Sequence, residues 1–228
     1  FSACEDLDSI GINAFIGCNN LLSLDLSPCP KLSLIQIGAF SGCSRLKSAI
    51  MPASLLTLGE SCFSADSLLE SIDLSLCSKL NSINSWTFGE CNHLYSVDIS
   101  NCIEIDSIKE SAYNGCARLN KLNLPDSLVS IGTDAFNSCY SLKSFKFPLT
   151  ISTIGANAFD KCDSLASLYL PASIDSIGNA AFANCPNLDT IVCYSTTPID
   201  ISTSFFVFGS DDTSKCKLFV PYGSKAAY

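Results

Sequence analysis

The sequence predicts a right-handed solenoid, mainly β and irregular, with one parallel strand in each repeat of 23–25 residues and a C-terminal cap. Three observations predict it. An aromatic residue recurs at Phe15, Phe40, Phe63, Phe88, Tyr113, Phe136, Phe159 and Phe182, spaced by 25, 23, 25, 25, 23, 23 and 23 residues. Each stands five residues after an Ile or Leu and three residues before a Cys, except that Asp66 replaces one Cys. A short apolar alternation closes the unit, as in Phe145-Lys146-Phe147 and Leu168-Tyr169-Leu170, with the period of two of a strand buried on one face.

The unit turns in two ways. One variant passes through Pro-x-Ser or a close equivalent, at Pro125, Pro148 and Pro171; the other passes through Ser-x-Cys, at Cys29, Cys77 and Cys102, and is two residues longer. Proline ends a strand because it cannot donate to the ladder. Repeats this short leave no room for a long helix, so at most helical turns are expected around each Ala-Phe-x-x-Cys. Each rung buries its apolar columns only against its neighbours, and both ends therefore need covering. At the front, Phe1-x-x-Cys4-x-x-Leu7-x-x-Ile10 runs directly to Phe15, a unit about nine residues short. At the back, the repeat dissolves near Cys193 into Thr196-Thr197-Pro198, Phe205-Phe206-Val207-Phe208 and Lys217-Leu218-Phe219-Val220-Pro221, aromatics suited to cover the last rung. The expected organisation is one domain, with about eight repeats over residues 1–195 and a capping segment over 196–228.

Charged residues make up only 15% of the chain and apolar ones 47%, so much of it must be buried. No apolar run approaches the ~18 residues of a membrane span, which leaves a packed core. The net charge of −9, with no basic run, excludes a nucleic-acid partner. The N-terminal Phe1-Ser2-Ala3-Cys4 lacks a charged and an apolar signal region, so an export signal or lipid-attachment cysteine is expected to have been removed.

Candidate chemistry is sparse. Seven of the 14 cysteines form one column, Cys18, Cys43, Cys91, Cys116, Cys139, Cys162 and Cys185, and a column offers no tetrahedron for zinc. Most are expected to be reduced and buried; the pair that could be bridged is Cys193 with Cys216, in the cap. His93 is the single histidine and falls in a surface turn, so a cysteine nucleophile has no base beside it. Hydrolase, nucleotide and dinucleotide motifs are absent, and neither an enzyme nor a cofactor is expected. Asp25, Asp73 and Asp98 occupy one outward strand position and raise a calcium site as an alternative to a solvated face.

The repeat, written I-G-x-x-A-F-x-x-C-x-x-L-x-x-L-x-L-P-x-S-L, resembles that of the BspA-like leucine-rich-repeat family over about residues 1–195. The segments 196–198 and 218–224 also resemble the closing segment of members from gut and oral Bacteroidetes. The resemblance implies a secreted or bacterial outer-surface protein whose relatives act as adhesins. The absence of glycosylation sequons fits a bacterial source.

The functional expectation is a monomeric extracellular or cell-surface binding module that presents a repeat-built face to a protein or glycan partner. Two alternatives are a structural spacer without a ligand and, more distantly, an accessory to a carbohydrate-processing enzyme. The candidate face is Lys121, Asn123, Lys143, Lys146 and Tyr169, read as outward strand positions of the C-terminal half, where earlier rungs carry Ser and Asp.

Overall fold

The structure is a computed structural model that describes residues 4–199, 201, 204–209 and 216–227; Phe1 of the short first unit lies outside them. The described residues form parallel strands and turns with no helix. Strands are numbered in chain order. The strand expected in each repeat is present as a ladder of β2 (Ser23–Asp25), β4 (Ser48–Ile50), β6 (Ser71–Asp73), β7 (Ser96–Asp98), β9 (Lys121–Asn123), β11 (Ser144–Lys146), β13 (Ser167–Leu170), β15 (Thr190–Cys193) and β16 (Lys217–Phe219). A second ladder, not foreseen from the alternation, contains β1 (Ser9–Ile10), β3 (Leu34–Ile35), β5 (Thr57–Leu58), β8 (Ser107–Ile108), β10 (Ser130–Ile131), β12 (Thr153–Ile154) and β14 (Ser176–Ile177). Single bridges at Ile83 join β5 to β8. These strands are two residues long, too short to leave a period-two signature.

Between the two ladders, the Ala-Phe-x-x-Cys arch makes a third. The amides of Phe40 and of the residues two before and two after it, Gly38 and Gly42, donate to Cys62, Glu60 and Ser64 of the next rung at 2.8–2.9 Å. The intervening amides fold back onto local carbonyls, as Cys43 does onto Phe40 at 3.2 Å. This alternation places the residues two before and two after each aromatic at positive φ. Gly38 and Gly42 take those places in one rung, but Trp86 and Glu90, or Asn157 and Lys161, take them in others.

The arch stacks the aromatic column into one pile. Phe15, Phe40, Phe63, Phe88, Tyr113, Phe136, Phe159 and Phe182 follow one another with ring centroids 5.2–5.9 Å apart and near-parallel planes. Phe208 adds a further ring 5.9 Å from Phe182, and Phe182 donates its amide to Val207 at 2.8 Å, so the 204–209 segment mimics one more arch. Phe205 and Phe206 of the same cluster remain exposed. Below the aromatics, each column thiol from Cys91 onward donates to the aromatic's carbonyl one rung back, at 3.0 Å for Cys91 to Phe63 and 3.1 Å for Cys116 to Phe88. That directed contact gives a physical reason for cysteine there beyond small size.

The two turn variants differ in how they satisfy the backbone after the long-ladder strand. In the longer rungs the outward Asp accepts the amide of the serine two residues on: Asp25 from Ser27 and Asp73 from Ser75 at 2.9 Å, Asp98 from Ser100 at 3.0 Å. In the shorter rungs that serine is replaced by Pro52, Pro125, Pro148 or Pro171, which has no amide to satisfy. A hydroxyl two residues past the proline, on Ser54, Ser127, Thr150 or Ser173, then donates at 2.7 Å to the rung before. The outward strand residue of a proline rung is therefore released from capping.

The long ladder has one break. Strands β2, β4, β6, β7 and β9 form one sheet and β11, β13, β15 and β16 another, with no pairing between β9 and β11. The rest of the turn stays closed there: β8 pairs with β10, and Tyr113 and Phe136 stack at 5.2 Å. Bulk explains the local opening. Strand β11 turns Phe145 inward, and Phe147 follows it, where β9 has Leu122 and the following Leu124; the rings of Phe145 and Phe147 pack edge-on against Phe159 at 4.8 and 5.8 Å. Leu122 and Leu124 are left only half-buried.

Candidate functional site

The long-ladder face carries two rows of outward side chains. The first is almost all hydroxyl: Ser23, Ser48, Ser71, Ser96, Lys121, Ser144, Ser167, Thr190, Lys217. The second changes character along the rod, from Asp25, Ile50, Asp73 and Asp98 through Asn123 and Lys146 to Tyr169, Val192 and Phe219. Its three aspartates belong to serine rungs and are occupied by their turns. Ser27 hydrogen bonds hold the Asp25 carboxyl below its ordinary value. At Asp98, burial pushes the carboxyl up, but the hydrogen bonds from Ser100 and Asn123, with Lys121 nearby, outweigh it and leave the group lowered. Capping accounts for these acids without calcium. Among the described residues no group of three His, Cys, Asp or Glu side chains is placed to hold a metal.

The five candidate face residues do not share one environment. Lys121 is exposed on β9, and Lys146 and Tyr169 are exposed neighbours in register on β11 and β13. Asn123 is half-buried and donates to Asp98 at 2.8 Å, so it serves the neighbouring turn. Lys143 is exposed but stands one residue before β11, whose first outward residue is Ser144. The displacement arises because the Phe145 and Phe147 alternation, not the lysine spacing, sets the register.

Lys146 and Tyr169 border a groove of about 500 Å³ lined by Ser144, Phe145, Lys146, Phe147, Leu149, Tyr169, Pro171 and Tyr194. Its lining is overwhelmingly apolar. Tyr169 is 44% exposed, Tyr194 55% and Leu149 81%, values that leave side-chain surface available to a partner rather than to the core. The candidate residues omitted Tyr194 and Leu149. Each lies just beyond a strand, past the last residue that alternation marks, although the turn proline before Leu149 signals where the chain bends outward. A second depression of about 300 Å³, of mixed polar and apolar lining, lies along the β9–β11 break, between Ser100, Leu122, Asn123, Leu124 and Asp126 on one side and Lys146, Phe147 and Pro148 on the other.

The other candidate groups are structural. Nδ1 of His93 lies 2.8 Å from the Ser67 carbonyl. Burial raises the column thiols Cys43, to about 11, Cys91, Cys116, Cys139 and Cys162, and the turn thiols Cys77 to about 12 and Cys102 to about 11, which removes these as nucleophiles near neutrality. Cys193 and Cys216 are not opposed. Thr190 pairs with Lys217, so Cys216 falls opposite Asp189, four residues from Cys193 and roughly 13 Å along the strand, beyond the reach of a disulfide. Asp66, read as a tolerated replacement in the cysteine column, is fully buried.

Stacked parallel rungs and one leucine-bearing turn per 23–25 residues define a leucine-rich-repeat solenoid. Residues 1–117 and 106–210 match the family described as BspA type leucine rich repeat region, in six copies, and the chain belongs to that family. Its fold is similar to that of a leucine-rich repeat protein from Bacteroides ovatus ATCC 8483, with 20% identity and a TM-score of 0.65 over 95% of this chain and 65% of that one. It is also similar to a leucine-rich repeat protein from Eubacterium ventriosum ATCC 27560, with 18% identity and a TM-score of 0.53 over 61% of this chain and 42% of that one. The chain thus spans less than two thirds of either structure. No curated protein matches it in sequence. No helix among the described residues is long and apolar enough to cross a membrane.

Proposed function

We propose that this chain is a non-enzymatic binding module working outside the cell, secreted or on a bacterial outer surface, and that its partner docks on the long-ladder face around Lys146, Tyr169 and Tyr194. The observation that carries this reading is the division of labour between rungs. Serine rungs commit their outward residue to capping. The consecutive proline rungs of β11 and β13 do not, and their outward residues, Lys146 and Tyr169, meet Leu149 and Tyr194 around an apolar groove. Exposed tyrosines beside an apolar depression are costly in water and gain from a partner that covers them. Membership in the BspA-type family supports the surface assignment. The apolar lining favours a protein partner over a glycan, whose hydroxyls would find few polar partners there.

Immobilised protein is to be screened against purified extracellular matrix proteins and a glycan array, in parallel with a variant carrying Lys146→Glu, Tyr169→Ala and Tyr194→Ala. A saturable protein partner lost at least tenfold by the variant, with unfolding unchanged, is expected. Binding unaffected by the three changes would move the site, and no saturable binding would favour the spacer.

A further inference from the structure

The groove and the β9–β11 break share a wall. Lys146 and Phe147 line both depressions, so one exposed lysine stands between the apolar groove and a smaller hollow of mixed lining, where Ser100, Asn123 and Asp126 rim an apolar floor. On the far side of the break the hollow is floored by Leu122 and Leu124, half-buried because their ladder partner is missing. On the near side it is floored by Phe145 and Pro171 and rimmed by Tyr169 and Tyr194. Lys121 on β9 and Lys143 one residue before β11, both exposed, flank the break on a chain whose net charge is −9. None of the three salt bridges among the described residues engages Lys121, Lys143 or Lys146.

From this juxtaposition we infer that the face takes a short extended peptide lying across the strands, with two apolar side chains that seat in the two hollows and a carboxylate between them that meets Lys146. The inference rests on the reading of this face as the binding surface and names the chemistry of its occupant. Strand spacing sets the geometry. A side chain seated in the break stands about half a strand spacing to one side of β11, and one seated between Tyr169 and Tyr194 about one and a half to the other, which separates the two anchors by roughly 10 Å. An extended chain advances about 3.3 Å per residue, so the anchors stand about three positions apart. A bulky aromatic fits the larger groove and a leucine-sized residue the smaller break. Charge supplies register: a carboxylate between the anchors gains at Lys146, while a lysine there meets like charge.

The test uses capped, fluorescein-labelled peptides of serine and glycine that carry one phenylalanine and one leucine two, three, four or six positions apart, with glutamate, glutamine or lysine between them. Fluorescence anisotropy with the full chain reads binding. The peptides spaced by three or four with glutamate are expected to bind at least tenfold more tightly than those spaced by six, and to lose about tenfold with lysine in the middle. Lys146→Glu reverses that charge preference, and Leu124→Ser removes the spacing preference while binding through the groove persists. No spacing preference, or a preference for glutamate that survives Lys146→Glu, overturns the inference. Because a protein partner found by screening is lost with Tyr169→Ala and Tyr194→Ala whatever the peptides do, failure of the peptide pattern is distinguishable from failure of the binding-surface reading.

Discussion

The amide of Cys43 donates to Oδ1 of Asp66 on the next rung at 2.7 Å, while Oδ2 of the same fully buried carboxyl has no partner. Every other column position beyond the first two rungs carries a thiol that donates to a carbonyl one rung back. Asp66 instead brings a titratable group into a dry stack. Burial raises its carboxyl to about 8, against the lowering effect of the Cys43 and Gly42 amides.

Because the folded state holds this proton more tightly than the unfolded chain, its stabilising effect is full below the unfolded value near 3.8 and is lost as pH rises to about 8. The slope in that window is at most about 1.4 kcal/mol per pH unit. Thermal unfolding is expected to shift downward from pH 5 to pH 8, and Asp66→Cys to flatten the dependence and raise the midpoint at pH 8. A wild-type midpoint that rises over this range would contradict the assignment.

Gly155 has no positive φ, yet a Cβ there would stand 2.5 Å from the carbonyl carbon of Gly132 and the amide of Thr133. Gly155→Ala must push two rungs apart and is expected to cost about 2–3 kcal/mol. Gly11, at the equivalent place in the first rung, faces open space, and Gly11→Ala should be near neutral. Chemical denaturation of both variants checks the contrast.

Tyr113 substitutes for phenylalanine in the ring pile, and its hydroxyl is buried with no partner. Tyr113→Phe keeps the stacking and removes the orphan group, a gain of about 1 kcal/mol. A domain of this size shows that as a rise of roughly 2–4 °C in Tm, measurable by calorimetry.

Thiol labelling separates the rungs by exposure. Cys18, on the first arch, is exposed and should react in the native protein, while Cys62, Cys91, Cys116 and Cys139 are fully buried and should not. Denaturation without reductant is expected to release them all to the reagent. Protection that persists after denaturation would require disulfides.

The repeat was legible because columns write themselves at fixed intervals: Phe40, Cys43 and Leu46 announce their places without any structure. The short ladder was not, since Leu34–Ile35 is too brief to alternate. Nor was the role of Asp73, because an Asx turn and an outward charge look identical until the Ser75 amide is seen against the carboxylate. Lys146 and Tyr169 stand out in the sequence because they break the Ser and Asp monotony. The break beside them was invisible, since it depends on how Phe145 and Phe147 pack three-dimensionally against Phe159.

The proline-for-serine exchange at the end of each long-ladder strand gives gene duplication an unequal effect on specificity. Copying a 25-residue rung lengthens the rod and adds another aspartate already engaged with its own turn. Copying a 23-residue rung adds one outward residue with no such duty, open to mutation without loss of a backbone hydrogen bond. Lineages that expand the shorter unit thus enlarge the surface on which new recognition arises, while expansion of the longer unit yields only reach.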